Sequence, residues 1–109
     1  MEQPSEGYLL RIIIGENTKH DKKQLYEWIV LKAREDGIAG ATVFRGMMGY
    51  GVSARIKTSS ILCLSDDLPV IIELVDRRRM LEEFLDRIDP ILSEGVATLE
   101  KVHVRMYRR

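Results

Sequence analysis

Three glycines follow a short apolar run in Ala41-Thr42-Val43-Phe44-Arg45-Gly46-Met47-Met48-Gly49-Tyr50-Gly51. Backbone N–H groups in a glycine-rich segment can come close to an anion. Arg45 adds a fixed positive charge able to fork onto a phosphate or a carboxylate. Tyr50 adds a ring face and a hydroxyl, and Arg55 and Lys57 add cations further along. The chemistry these residues suit is binding of a small anion or a nucleotide. The spacing is Gly-x-x-Gly-x-Gly rather than GxGxxG, and no Gly-Lys-Ser/Thr follows. A bent strand entering a loop explains the same glycines without a ligand. Arg45, Gly46, Gly49, Tyr50, Gly51, Arg55 and Lys57 are the candidate ligand-binding residues.

Other chemistries find no support. The histidines His20 and His103 have no second histidine or cysteine at ligand spacing, so no metal site is expected. The single cysteine, Cys63, sits in an apolar stretch and reads as a small buried hydrophobe. No GxSxG elbow exists, and the adjacent Asp66 and Asp67 would point apart in an extended chain. No catalytic role and no cofactor are expected. Arg77, Arg78 and Arg79 open a helix, where cations oppose the dipole. They either lean towards Glu82 and Glu83 or face an anionic partner.

The elements that must position these residues follow from the pattern. Residues 8–14 read as a strand stopped by Gly15. Asp21 and Gln24 have capping-box spacing, which predicts a helix over 22–36 closed by Gly37. A second strand starts at Ala41. Residues 52–67 lack a period and read as a long loop. Pro69 opens a third strand over 70–75, with Asp76 as the expected N-cap of a helix that ends before Pro90. A last strand covers 96–107, and residues 1–7 read as a flexible N-terminal tail.

The order β-α-β, loop, β-α-β predicts an α+β ferredoxin-like βαββαβ sandwich with strand order 4-1-3-2. Both alternating sets of the first and third strands are largely apolar: Leu10, Ile12, Ile14 against Leu9, Arg11, Ile13, and Val70, Ile72, Leu74 against Ile71, Glu73, Val75. Helices cover one face only. The other predicts an oligomer packed through the open sheet, with Arg11 and Glu73 paired on it; the alternative is a monomer whose long loop folds under that face.

At 109 residues the chain fits one domain. Seventeen basic and seventeen acidic residues cancel, which argues against a nucleic-acid partner. No signal peptide or membrane span is read, so a cytoplasmic location is expected.

Residues 40–51 resemble the signature stretch of an uncharacterised bacterial and archaeal family, domain of unknown function 190. Leu25-Tyr26-Glu27 resembles its first-helix start, and residues 64–76 resemble its loop-to-strand passage. The resemblance runs from Tyr8 to Val104. It implies a PII-like homotrimer with inward-facing sheets and a long flexible loop, here residues 50–65, between the second and third strands. It also implies regulation: a small anion or nucleotide sensed in clefts between subunits, and a signal passed through the loop, with a membrane transporter as partner. The segment before the last strand, residues 89–95, is acidic and apolar, so the phosphate-binding residues of nitrogen-regulatory PII proteins are not carried over. The alternative is a structural or partner-docking oligomer without a small ligand.

Overall fold

The structure, a computed structural model, describes residues 5–51, 56–59 and 67–107. Its centre is β1 (Ser5–Gly15), rich in Leu and Ile. β1 pairs antiparallel with β7 (Pro69–Asp76) on one side and with β8 (Val96–Val104) on the other. β4 (Gly40–Arg45) pairs with the outer side of β7. The sheet order is therefore β4-β7-β1-β8, the expected 4-1-3-2 when the four long strands are counted along the chain. The two strands that are apolar on both faces are the central ones.

One face of this sheet holds the core. Leu10, Ile12 and Ile14 of β1 and Val70, Ile72 and Leu74 of β7 are all buried. α1 (Leu25–Glu35) lays Leu25, Ile29 and Ala33 against them, and α2 (Arg78–Ile88) lays Leu81, Phe84 and Ile88. These are three- and four-residue steps, so each helix buries a single stripe. Full burial of each large apolar side chain contributes about 1.5–3 kcal/mol.

The other face is half-covered. Leu9, Ile13, Ile71 and Val75 are all partly exposed, and Phe44 is 46% exposed. In their midst Arg11 donates from Nε to Glu73 Oε2 at 3.0 Å, the expected pair, and Glu100 stands 3.6 Å from the same guanidinium.

Several local expectations are corrected. The capping box at Asp21 and Gln24 does not form. β2 (Lys19–His20) and β3 (Lys23–Gln24) make a miniature hairpin instead. Its turn residues Asp21 and Lys22 have φ of 53° and 68°. Two successive positive φ values are what a tight two-residue hairpin requires. α1 consequently starts at Leu25, with Gln24 as N-cap and no side-chain cap, and the Leu25 N–H donates to Thr18 O at 2.7 Å. Gly37 does stop this helix, at φ 84°.

Asp76 is not the N-cap of α2, because Arg77 takes that position. Asp76 is buried and accepts the N–H groups of Arg77 (2.6 Å) and Ala39 (2.9 Å). The arginines lean along their own helix: Arg78 donates to Glu82 and Arg79 to Glu83. α2 ends at Ile88, and a 3-10 turn over Asp89–Ile91 absorbs Pro90.

Part of the expected tail is ordered. Ser5, Glu6 and Gly7 belong to β1 because β8 supplies Val104, His103 and Val102 opposite them. Glu6 also pairs with Lys101, which raises the pKa of that ammonium through a hydrogen bond and charge. β8 itself ends at Val104, short of the expected 107. Within the long connection, β5 (Met48–Gly49) and β6 (Lys57–Thr58) form a second small hairpin. Arg55, Cys63 and the greater part of the expected mobile loop lie outside the described residues.

Candidate functional site

A cavity of about 400 Å³ opens where the end of β1 meets the start of β7. The pairing that brings them together is Gly15 opposite Pro69. Ile13 and Ile71 give it an apolar wall, and Gly95 and Val96 close the side towards β8. The β5–β6 hairpin supplies a further wall: Met48 and Gly49 of β5, Tyr50 and Gly51 directly after it, and Lys57 of β6.

Five of the seven expected site residues therefore meet at one place: Gly46, Gly49, Tyr50, Gly51 and Lys57. Arg45 does not line the cavity. It flanks it, and its Nε donates to Glu16 Oε2 at 3.1 Å, with a second contact from Nη2 to the same oxygen. Arg55 lies outside the described residues.

The glycines have a reason beyond ligand binding. A Cβ at Gly46 would stand 2.9 Å from Pro69 Cγ, and one at Gly49 3.3 Å from the same atom. Both backbones are thus pressed onto the Pro69 ring, and a side chain at Gly46 would force the two apart. The Gly46 N–H already donates to Pro69 O at 2.7 Å. It is therefore not open to an anion, contrary to the expectation for the glycine run.

Sequence reasoning missed Gly15, Asp67 and Glu94. A Cβ on Gly15 would collide with the Asp67 carboxylate. Asp67 Oδ1 accepts the Asn17 N–H at 2.6 Å, and Asp67 Oδ2 lies 3.8 Å from Lys57 Nζ. Of the described lining residues Lys57 is the only cation, and it shares the lining with the carboxylates of Asp67 and Glu94. Nothing local in the sequence marks Asp67 as a partner of Lys57 or Gly15, because the fold alone brings them together. Chemically, the cavity offers an apolar wall, the exposed ring of Tyr50, the hydroxyls of Tyr50 and Thr18, and one ammonium. Among the described residues no group of three metal-ligating side chains occurs, and no helix is long and apolar enough to cross a membrane.

Known proteins agree with this architecture. The family DUF190, described as "Uncharacterized ACR", matches residues 7–104. A UPF0166 protein of Aquifex aeolicus is 36% identical over 96 residues, covering 88% of this chain and 90% of that protein. A UPF0166 protein of Methanocaldococcus jannaschii is 40% identical over 88 residues, covering 81% of this chain and 77% of the relative. Among solved structures, CPII of Thiomonas intermedia K12 is similar with a TM-score of 0.72 at 17% identity, over 97% of this chain and 94% of that one. CPII is a nitrogen regulatory PII-like protein, bound there to ADP, AMP and bicarbonate. The chain belongs to the DUF190 family and has the PII-like form of the ferredoxin-like fold.

Proposed function

We propose that this protein is a cytoplasmic PII-like regulator that works without catalysis. It binds a small anion or nucleotide in the cavity at the base of the glycine run and signals through the segment 50–65. The observation that carries the reading is the position of the cavity: it lies at the base of the glycine run and beside the open apolar face. Packing of that face against two further copies forms a homotrimer and turns the cavity into a cleft between subunits. Tyr50, 72% exposed, supplies a stacking surface, and Lys57 meets the anionic group. Arg45, beside the rim, adds a second cation once it leaves Glu16. Ligand class follows by analogy from CPII, whose structure holds adenine nucleotides and bicarbonate. A membrane transporter is the proposed receiver of the signal.

A thermal-shift series with ADP, AMP and bicarbonate, run beside light scattering, tests this. A ligand that prefers the native state adds about 2.7 kcal/mol of stability at a hundred times its Kd. A trimer stabilised by one of these ligands supports the reading, and a trimer indifferent to all three removes the ligand from it. The second reading, an oligomer that only docks partners, draws on the ion pairs of Arg45 and Lys57 and on the engaged Gly46 N–H.

A further inference from the structure

Lys57 and Asp67 are held in different ways. Asp67 is fixed to the body of the protein. Its Oδ1 takes the Asn17 N–H at 2.6 Å, and its carboxylate lies over Gly15, where a side chain would exclude it. Lys57 belongs to the two-residue strand β6 and reaches the carboxylate along a flexible stem. The separation from Nζ to Asp67 Oδ2 is 3.8 Å, close enough for an ion pair and too long for a hydrogen bond. The ammonium is thus attracted to Asp67 without being saturated by it. A ligand oxygen at hydrogen-bond distance would therefore compete with Asp67 for its three donors.

We infer that Asp67 is a built-in competitor for the anion site. It parks Lys57 while the cavity is empty and yields it to an incoming phosphate or bicarbonate oxygen. The inference rests on the cavity being an anion site, as proposed above. The geometry makes Asp67 the post and Lys57 the arm: departure of the ammonium leaves the Asn17 hydrogen bond in place. Both side chains are about seven-tenths covered, at 28% and 31% exposure, so solvent screens their attraction only in part. Asp67 thereby sets the affinity threshold of the site. A ligand must offer Lys57 more than the resident carboxylate does, which favours a concentrated anionic charge over a neutral polar group.

The test compares Asp67→Asn with Glu94→Gln. Each removes one negative charge from the same lining, but only the first frees Lys57. The amide introduced by Asp67→Asn keeps an oxygen for the Asn17 N–H, so the variant is expected to fold, checked by its melting curve. Titration calorimetry with ADP and with bicarbonate is the readout. Asp67→Asn should bind at least one probe about threefold or more tighter than Glu94→Gln does, the ratio expected from loss of one partly covered ion pair. In a Lys57→Gln background that advantage should vanish. Equal gains from the two variants, or a loss in Asp67→Asn, overturn the inference and leave the proposed function standing. If neither the wild type nor Asp67→Asn binds either probe, inference and function fall together. Wild-type protein gives an independent check by NMR of lysine side chains. A Lys57 ammonium signal that stays put while ADP or bicarbonate binds overturns the inference without any variant.

Discussion

Asp76 Oδ2 accepts the N–H of Ala39 at 2.9 Å and ties the end of β7 to the turn before β4. The other carboxylate oxygen takes the N–H of Arg77 at 2.6 Å, so one buried side chain satisfies two backbone donors. Leaving such donors unpaired costs about 1–3 kcal/mol each. Asp76→Ala should lower stability by about 2–4 kcal/mol in urea unfolding at fixed protein concentration. Asp76 and the cavity lie at opposite ends of β7, so ligand affinity should not change.

The contact between Gly46 and Pro69 gives a second expectation. Gly46→Ala puts a methyl group 2.9 Å from the proline ring and should destabilise by about 1–3 kcal/mol, the usual cost of overpacking. In a Pro69→Ala background the ring is gone and the cost should shrink. Thermal unfolding of the four proteins in this cycle measures the coupling. Additive losses would mean that the glycine is required for another reason.

The open sheet face yields a third. Arg11 stands between Glu73 and Glu100. Arg11→Glu would place three carboxylates together in the proposed subunit contact. The expected result is dissociation into monomers, seen by light scattering at micromolar concentration. A variant that remains trimeric would place the contact elsewhere.

Arg45 separates ligand binding from assembly. With its guanidinium held by Glu16, Arg45→Ala removes a cation beside the cavity and leaves the lining intact. The expected outcome is an intact trimer with a weaker thermal response to ADP or bicarbonate. Dissociation of the variant would assign Arg45 to the interface instead.

Much of the architecture could be read from residue order. Leu9 to Ile14 and Val70 to Val75 are apolar on both faces, and only central strands tolerate that, so β1 and β7 could be placed in the middle. Arg11 and Glu73, the charges interrupting the second face, were visible as a pair for the same reason. Helix starts were harder. Asp21 suits an N-cap and also tolerates the left-handed backbone, and the hairpin turn used the second property. For the site, the glycine run pointed to the correct region, since Gly46, Gly49, Tyr50 and Gly51 line the cavity. What it could not reveal is the opposite wall. Gly15 meets Pro69 across the sheet, and Asp67, just before β7, comes within ion-pair distance of Lys57 in β6. Those neighbours are set by tertiary structure, which no local pattern encodes.

The pairing of β1 with β8 also bears on how the chain comes to be folded in the cell. Ser5 lies opposite Val104 and Ile13 opposite Val96, so the earliest strand of this sheet to be made finds its outer partner in the latest. Until synthesis reaches that partner, β1 has an open edge and two apolar faces. Only its β7 side can be satisfied earlier. Contacts between distant parts of a chain form slowly, because the entropy of closing the intervening loop is spent before they stabilise anything. Unpaired apolar strands are the species most prone to aggregate in that interval. Truncation from the C-terminus into β8 should therefore give insoluble chains rather than a smaller soluble domain. Within this sheet, the strand that organises it is made before the others and completed after them.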